Sequence, residues 1–409
     1  MIKLEGKGLS LKGEIQIGGS KSESNRLLIL QALANNKFKI ENLSNSKDTS
    51  LMLDALSNDG DTINIGLAGT AMRFLTAYLS VQEGREVTLT GEGRMLQRPI
   101  GELVEALKTL GADITYKENE GYPPLFIKGK KLKGGEISLN SGISSQFITA
   151  LMLIAPTMKN GIEITLKGKT VSLSYINMSI QLLQKVGVDA SINKKVITVK
   201  KGDIYSDTPM AVESDWSSAS YHYSLVATAD EADIILGTYR RESFQGDSAL
   251  AELYKNMGVE TLYLQDKIRL QKSAILEKKD LIEFNLNQQP DIAQTIAVTC
   301  LNLGVNCKLI GLETLRIKET DRLFALKTEL EKLGAAVTIT DNSLEMDAPK
   351  SITSEVEIST YDDHRMAMAF APIALKQNIN IEDPDVVVKS YPDFWEHLNK
   401  LGIKTITKN

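Results

Sequence analysis

LKTELEKLGAAVTI, residues 326–339, joins two periodicities through a glycine. Leu326, Leu330 and Leu333 recur at i, i+4, i+7, the spacing of one helix face. Gly334 supplies the stop, because a left-handed residue after the last turn costs glycine least. AAVTI then alternates, the pattern of a strand with one buried face. The same phrase returns at 52–65 (MLDALSNDGDTINI), 103–116 (LVEALKTLGADITY), 179–192 (SIQLLQKVGVDASI), 249–262 (ALAELYKNMGVETL) and 394–407 (FWEHLNKLGIKTIT). The six glycines, Gly60, Gly111, Gly187, Gly258, Gly334 and Gly402, lie 51, 76, 71, 76 and 68 residues apart. Intervals that long exclude a solenoid of simple hairpins and leave room for a second helix and further strands. One helix–glycine–strand phrase occurs in any α/β protein; six spread over the chain argue for internal repetition. Six units of about 65 residues fit two domains of three units each.

The 409-residue length agrees with two or three domains. Apolar residues make up 42% and charged residues 24%, the balance of a soluble globular protein. The formal net charge of −5 argues against a protein that coats nucleic acid or an anionic membrane. It still permits a small anionic ligand, since a local cluster of Arg and Lys can sit inside an acidic whole. Cys300 and Cys307 form no CxxC pair, and His222, His364 and His397 are far apart. Neither a disulfide framework nor a structural zinc site is expected. MIKLEGKGLSLKGEI alternates like a strand and has no apolar h-region, so no signal peptide is expected. No apolar run nears the roughly 18 residues of a membrane span. A reducing cytoplasm is the expected compartment.

The second helix of several units opens with small, hydroxyl and cationic residues. In GGSKSESNRLLIL, Ser20 and Glu23 form a capping box, Lys21 lies in the first turn, and Ser22 and Arg26 share a face. Cations are disfavoured at that positive end of the helix dipole, so their presence calls for an anion, which the free N–H groups also attract. The device recurs. Gly69, Thr70 and Arg73 follow a strand, and Arg98 precedes Pro99, read as a first helical residue. Ser144, Ser145 and Gln146 open another helix; Arg316, Lys318, Glu319 and Arg322 surround a fifth start; Asp363, His364 and Arg365 stand at a sixth. Six such starts in a repeated architecture argue for a shared anionic ligand held between two domains.

Other candidates stand alone. Asp291 follows Pro290 at a helix start, and Lys389 ends a Val run that reads as a strand. Cys300 reads as core, and His222 and His397 have no partner that spacing identifies. GEGR at 91–94 is an incomplete dinucleotide fingerprint.

GSKSESNR, AGTAMR, RPIG, SSQF, KETDR, DDHRMAM and KSYPDFW, in this order from Gly19 to Trp395, resemble the EPSP synthase (3-phosphoshikimate 1-carboxyvinyltransferase) family. The resemblance implies an α/β fold of the enolpyruvyl transferase type, an inside-out α/β barrel. Two similar domains of three repeated units would be crossed twice by the chain, near Gly18–Ser20 and Val212–Asp215. The expected lobes are residues 20–212, and 1–19 with 213–409, with the active site in the cleft between them. The implied reaction moves the enolpyruvyl group of phosphoenolpyruvate to the 5-hydroxyl of shikimate 3-phosphate and releases phosphate.

Carried over by motif, Lys21 would touch both substrates. Ser22, Arg26, Ser144, Ser145, Ser172, Tyr175, Asp291 and Lys318 would hold shikimate 3-phosphate; Gly69, Arg98, Arg322, Arg365 and Lys389 would hold phosphoenolpyruvate; Gln146 stands in both sets. Thr70, Arg73 and His364 would frame the pocket. Asp291 resembles the base for the 5-hydroxyl and Glu319 the acid for the methylene carbon, with Lys21, Arg98 and Lys389 near the leaving phosphate. Two anionic substrates suit Arg forks. No metal or organic cofactor, no nucleic acid and no membrane is implied, and the expected state is a monomer. Three departures bear on affinity: Leu67 and Thr314 stand where the family usually or often has Asn, and Phe74 where Pro is common. The nearest rival is the sister transferase acting on UDP-N-acetylglucosamine, which typically carries a reactive Cys in its first domain, where this chain has none. An RNA 3′-phosphate cyclase on related repeats and a non-catalytic anion-binding relative are the others.

Overall fold

Parallel strands need a crossover, which here is a helix, whereas antiparallel strands can close with a tight turn. Both rules are used in the four-stranded copies of the repeat. The computed structural model describes residues 1–140, 144–168, 172–273 and 280–408. It divides into two units, Gly19–Val212 and Met1–Gly18 with Glu213–Asn409.

Within Gly19–Val212 the helices are α1 (Lys21–Leu33), α2 (Lys47–Ser57), α3 (Gly69–Ser80), α4 (Gly101–Thr109), α5 (Ser145–Ile154) and α6 (Leu173–Lys185). One copy runs Thr62–Asn64, α3, Glu86–Thr90, α4 and the hairpin of Asp113–Tyr116 with Leu125–Lys128. The first two strands pair in parallel, and the last strand of the hairpin pairs antiparallel beside the second. The next copy repeats this with Gly135–Asn140, α5, Ile162–Lys167, α6 and the hairpin of Ala190–Asn193 with Val196–Val199. The remaining third is reduced to α1, α2 and a short pairing of Ile40–Glu41 with Met210–Ala211.

The other unit carries α7 (Trp216–Thr228), α8 (Leu250–Leu253), α9 (Ala293–Leu303), α10 (Arg322–Lys332), α11 (His364–Phe370) and α12 (Phe394–Lys400). Two of its three four-stranded sheets keep the chain order first, second, fourth, third, and in the other the N-terminal strand stands where the fourth would. In one sheet Leu11–Gln16, which precedes Gly19 in the chain, pairs with Ala232–Gly237, which follows Val212. In another, Ile2–Glu5 from the N-terminus supplies the strand between Ile379–Ile381 and Lys404–Thr407.

The crossover helices form the interior of each unit. All seven residues of α11 and all but one of α7 are buried. α9 packs against both α7 and α10 as well as α11, while α3 and α5 pack together with α1 in the other unit. A helix covered on every side must satisfy its polar groups internally. Ser224 therefore accepts from Thr299 at 2.8 Å, and Asn302 donates to Thr228 at 3.2 Å, between α7 and α9. The strands expose one face, as in Ala336–Ile339, where Val337 is buried and Thr338 exposed.

Five of the six stop glycines take the left-handed backbone, from φ 76° at Gly258 to 104° at Gly111. Gly60 does not. α2 ends at Asn58 in an extended conformation, and the Asn58 Oδ1 accepts the Gly60 N–H at 2.7 Å. The following strand opens the next copy by parallel pairing instead of entering a hairpin. The phrase at 52–65 is thus a junction between copies of the repeat, with an Asx turn doing the work of the glycine stop.

Candidate active site

In the unit Met1–Gly18 with Glu213–Asn409, one guanidinium organises the predicted residues. Asp321 caps α10, accepting from the Phe324 N–H at 3.1 Å, and so fixes Arg322 as the first helical residue. Arg322 is 2% exposed and reaches Asp291 Oδ1 at 2.9 Å, Glu319 Oε2 at 2.9 Å and Asp363 Oδ2 at 2.6 Å. Burial alone would lower its pKa; the charges of Asp363, Glu319 and Asp291 outweigh burial and raise it. Asp363 also caps α11 by accepting from the Arg365 N–H at 2.9 Å, so one carboxylate ties two helix starts together.

Further cations surround the two outer carboxylates. Lys318 Nζ lies 3.5 Å from Asp291 Oδ1, and Arg365 Nη2 lies 3.5 Å from Asp291 Oδ2. Arg365 Nη1 also donates to the Asp291 carbonyl at 2.9 Å. Lys389 Nζ is 3.7 Å from Glu319 Oε1. Lys389 ends a 3-10 helix, Pro384–Lys389, and not the strand that the Val run suggested; Pro384 at its start and Val387 turned inward carry that turn. His364 is buried with Nδ1 3.7 Å from Asp363 Oδ1. Thr314 places its hydroxyl in the interior without a hydrogen-bond partner.

Among the predicted residues of Gly19–Val212, neutral oxygens hold Arg26, and a carboxylate holds Lys21. Ser20 caps α1 as the capping box anticipates, accepting from the Glu23 N–H at 3.4 Å. Arg26 is buried and donates to Ser179 Oγ at 2.9 Å, the Ser22 carbonyl at 2.7 Å, and Thr149 Oγ1 and the Tyr175 carbonyl at 3.4 Å each. Its guanidinium lies 5.5 Å from the Phe74 ring centroid and 5.8 Å from that of Tyr175. Burial pulls its pKa down to about 10. Ser172 precedes α6 with φ 55°, an uncommon conformation for a residue with a Cβ.

Lys21 pairs with Asp48 at 3.1 Å. Arg98 lies on Gly69 so closely that a Cβ there would sit 2.5 Å from its Nη1. A side chain at 69 would displace the guanidinium from this position, and the Arg98 Nε is buried without a hydrogen-bond partner. Pro99 is not the first helical residue: α4 starts at Gly101, and the Pro99 carbonyl accepts from Arg73 Nη2 at 3.1 Å. Arg73 also donates to the Gly69 carbonyl at 3.2 Å, so it braces the glycine turn. Gln146 donates to Thr70 Oγ1 at 3.3 Å, and Ser144 caps α5 ahead of the half-buried Ser145. Leu67 is 45% exposed on the turn before α3.

The sequence does not single out Asp48 as the partner of Lys21, and it places Asp363 at a helix start without its bond to Arg322. Both free cysteines are buried. Among the described residues, no group of three His, Cys, Asp or Glu side chains is placed to hold a metal, and no helix is long and apolar enough to cross a membrane.

The fold is that of an enolpyruvyl transferase. The EPSP synthase from Acinetobacter baumannii superposes with a TM-score of 0.80 at 21% identity, covering 99% of each chain. The enolpyruvyl transferase NikO from Streptomyces tendae superposes at 0.75 with 14% identity, over 99% of this chain and 98% of its own. In sequence, the 3-phosphoshikimate 1-carboxyvinyltransferase of Bacteroides fragilis (strain YCH46) is 45% identical over 96% of both chains. That of Psychromonas ingrahamii is 39% identical over 94% of this chain and 96% of its own. The family model for EPSP synthase (3-phosphoshikimate 1-carboxyvinyltransferase) matches residues 6–62 and 57–398. The chain belongs to the EPSP synthase family.

Proposed function

We propose that this chain transfers the enolpyruvyl group of phosphoenolpyruvate to the 5-hydroxyl of shikimate 3-phosphate, with Asp291 as base and Glu319 as acid. The observation that carries the assignment is that one buried guanidinium, Arg322, holds both carboxylates at 2.9 Å. Fixed in this way, each can meet a substrate atom with little loss of side-chain freedom. Asp291 takes the 5-hydroxyl proton as that oxygen bonds to the central carbon of phosphoenolpyruvate, while Glu319 delivers a proton to the methylene carbon. The adduct then loses a proton from the new methyl group as the carbon–oxygen bond to phosphate breaks, giving the enol ether and phosphate. Lys389, close to Glu319, and the cations Lys21 and Arg98 offset the charge that develops on the leaving phosphate.

Shikimate 3-phosphate falls to Lys21, Ser22, Arg26, Ser144, Ser145, Gln146, Ser172, Tyr175, Asp291 and Lys318. Phosphoenolpyruvate falls to Lys21, Gly69, Arg98, Gln146, Arg322, Arg365 and Lys389. The reaction as written calls for no metal or organic cofactor, and we propose that the chain acts in the cytoplasm as a monomer. Following phosphate release with both substrates, and with each alone, tests the assignment: release should require both.

A further inference from the structure

Ser217 is the second residue of α7 and lies between two charged groups. Its hydroxyl donates to Asp247 Oδ2, and its oxygen accepts from Arg365 Nη2 at 3.4 Å. A hydroxyl has one proton and two lone pairs. With the proton committed to the Asp247 carboxylate, the lone pairs are left for Arg365. The charge on Asp247 therefore decides which way the hydroxyl points. Arg365 in turn meets Asp291 at both its carbonyl and its carboxylate. Asp247 sits in the short 3-10 turn Gly246–Ala249 and is 5% exposed, away from every motif that the sequence offers.

We infer that Asp247 is a positioning residue: acting through Ser217, it aims the Arg365 guanidinium at the anionic end of phosphoenolpyruvate. The inference rests on the assignment of Arg365 as a ligand of that substrate. It names a group that touches no reacting atom.

The electrostatics give the role a signature. Burial raises the Asp247 pKa to about 6; the Ser217 hydrogen bond and Arg365 oppose the rise, while Asp291 and Asp215 add to it. Because the folded pKa exceeds the ordinary carboxylate value, the ionised side chain costs stability. That cost is present above about pH 6 and is relieved as pH falls toward the unfolded pKa. A carboxylate kept only to hold the fold together would act in the opposite direction. Below about pH 6 the neutral acid no longer commands the Ser217 proton, and the hydroxyl is free to turn toward Arg365.

Asp247→Asn should raise the KM for phosphoenolpyruvate roughly three- to thirtyfold with kcat changed less than about threefold. Its thermal midpoint should equal or exceed that of the parent. Ser217→Ala should give the same KM, and the double variant should be no worse than either single one. The parent's KM should climb as pH falls through about 6, and this limb should flatten in Asp247→Asn. An unchanged KM, or a lowered midpoint with equal weakening toward both substrates, overturns the inference while leaving the assigned reaction intact. If the parent chain releases no phosphate at all, it is the reaction that falls. Asp247 is then judged by the thermal shift that phosphoenolpyruvate alone induces: loss of the shift in Asp247→Asn supports the role, and an unchanged shift overturns it.

Discussion

Arg322 and Arg26 are both buried at helix starts, yet they are neutralised in opposite ways. Arg322 has three carboxylates within 2.9 Å, whereas the hydrogen bonds of Arg26 end on two hydroxyls and two carbonyls. The pKa follows: burial lowers that of Arg26, while the carboxylates around Arg322 reverse the effect of burial. The contrast separates two uses of the same residue. Arg322 holds the proposed acid and base in place, beside whatever it offers phosphoenolpyruvate. Arg26 has no carboxylate among its hydrogen-bond partners and feels only the more distant charge of Glu23, which leaves a place that a phosphate dianion would complete.

The largest effects should come from the two carboxylates that Arg322 holds. Asp291→Asn and Glu319→Gln keep shape but end proton transfer, so each should lower kcat by roughly 10²–10⁴-fold. Shikimate 3-phosphate should still bind to Glu319→Gln, measured by calorimetry. Near-normal turnover in that variant would mean the carboxylates serve only as counterions to Arg322.

The arginines themselves should part ways next. Arg322→Met strips the buried Asp363 and the half-buried Asp291 and Glu319 of their partner and should cost about 3–5 kcal/mol in urea unfolding. Arg26→Met leaves Thr149 and Ser179 bonded to each other at 3.1 Å, and Ser179 to the Tyr175 carbonyl at 2.8 Å. It should therefore cost at least about 2 kcal/mol less stability than Arg322→Met, while weakening shikimate 3-phosphate roughly tenfold to hundredfold. Equal stability losses would erase the distinction.

The sequence shows the repeat because period and stop lie within a few residues of each other, as in Leu326, Leu330, Leu333 and Gly334. It does not show that Leu11–Gln16 pairs with Ala232–Gly237, since a whole unit intervenes and local pattern carries no record of partners that distant. At Gly60 the side chain of Asn58 took over the turn, so an identical-looking phrase had another structure. The site divides in the same way. Cation-rich helix starts are conspicuous and bring out Arg322, Glu319 and Arg365, whereas Asp291 stands alone after Pro290 and takes its role from the family resemblance. The double duty of Asp363 joins residues 41 positions apart and only the fold reveals it. The Val run before Lys389 reads as a strand by composition, but tertiary packing overrides that preference.

The smallest effect concerns the glycine turn that Arg73 braces. Leu67 cannot offer the amide that an Asn would, and its exposure leaves it room to be replaced. Leu67→Asn should tighten inhibition by glyphosate, an inhibitor of the resembled family, by roughly twofold to tenfold, the worth of one neutral hydrogen bond. The KM for phosphoenolpyruvate should move less. If neither constant changes by about twofold, the turn's backbone and Arg98 do the binding unaided.

The central claim is that the two sets of residues serve one transfer between two anions. The direct measurement is phosphate release by the purified chain with phosphoenolpyruvate and either shikimate 3-phosphate or UDP-N-acetylglucosamine as acceptor, in the presence of a metal chelator. The account predicts one phosphate per enolpyruvyl ether formed on shikimate 3-phosphate and no release with the nucleotide sugar or without an acceptor. Release with the nucleotide sugar alone, or none with shikimate 3-phosphate, would contradict it.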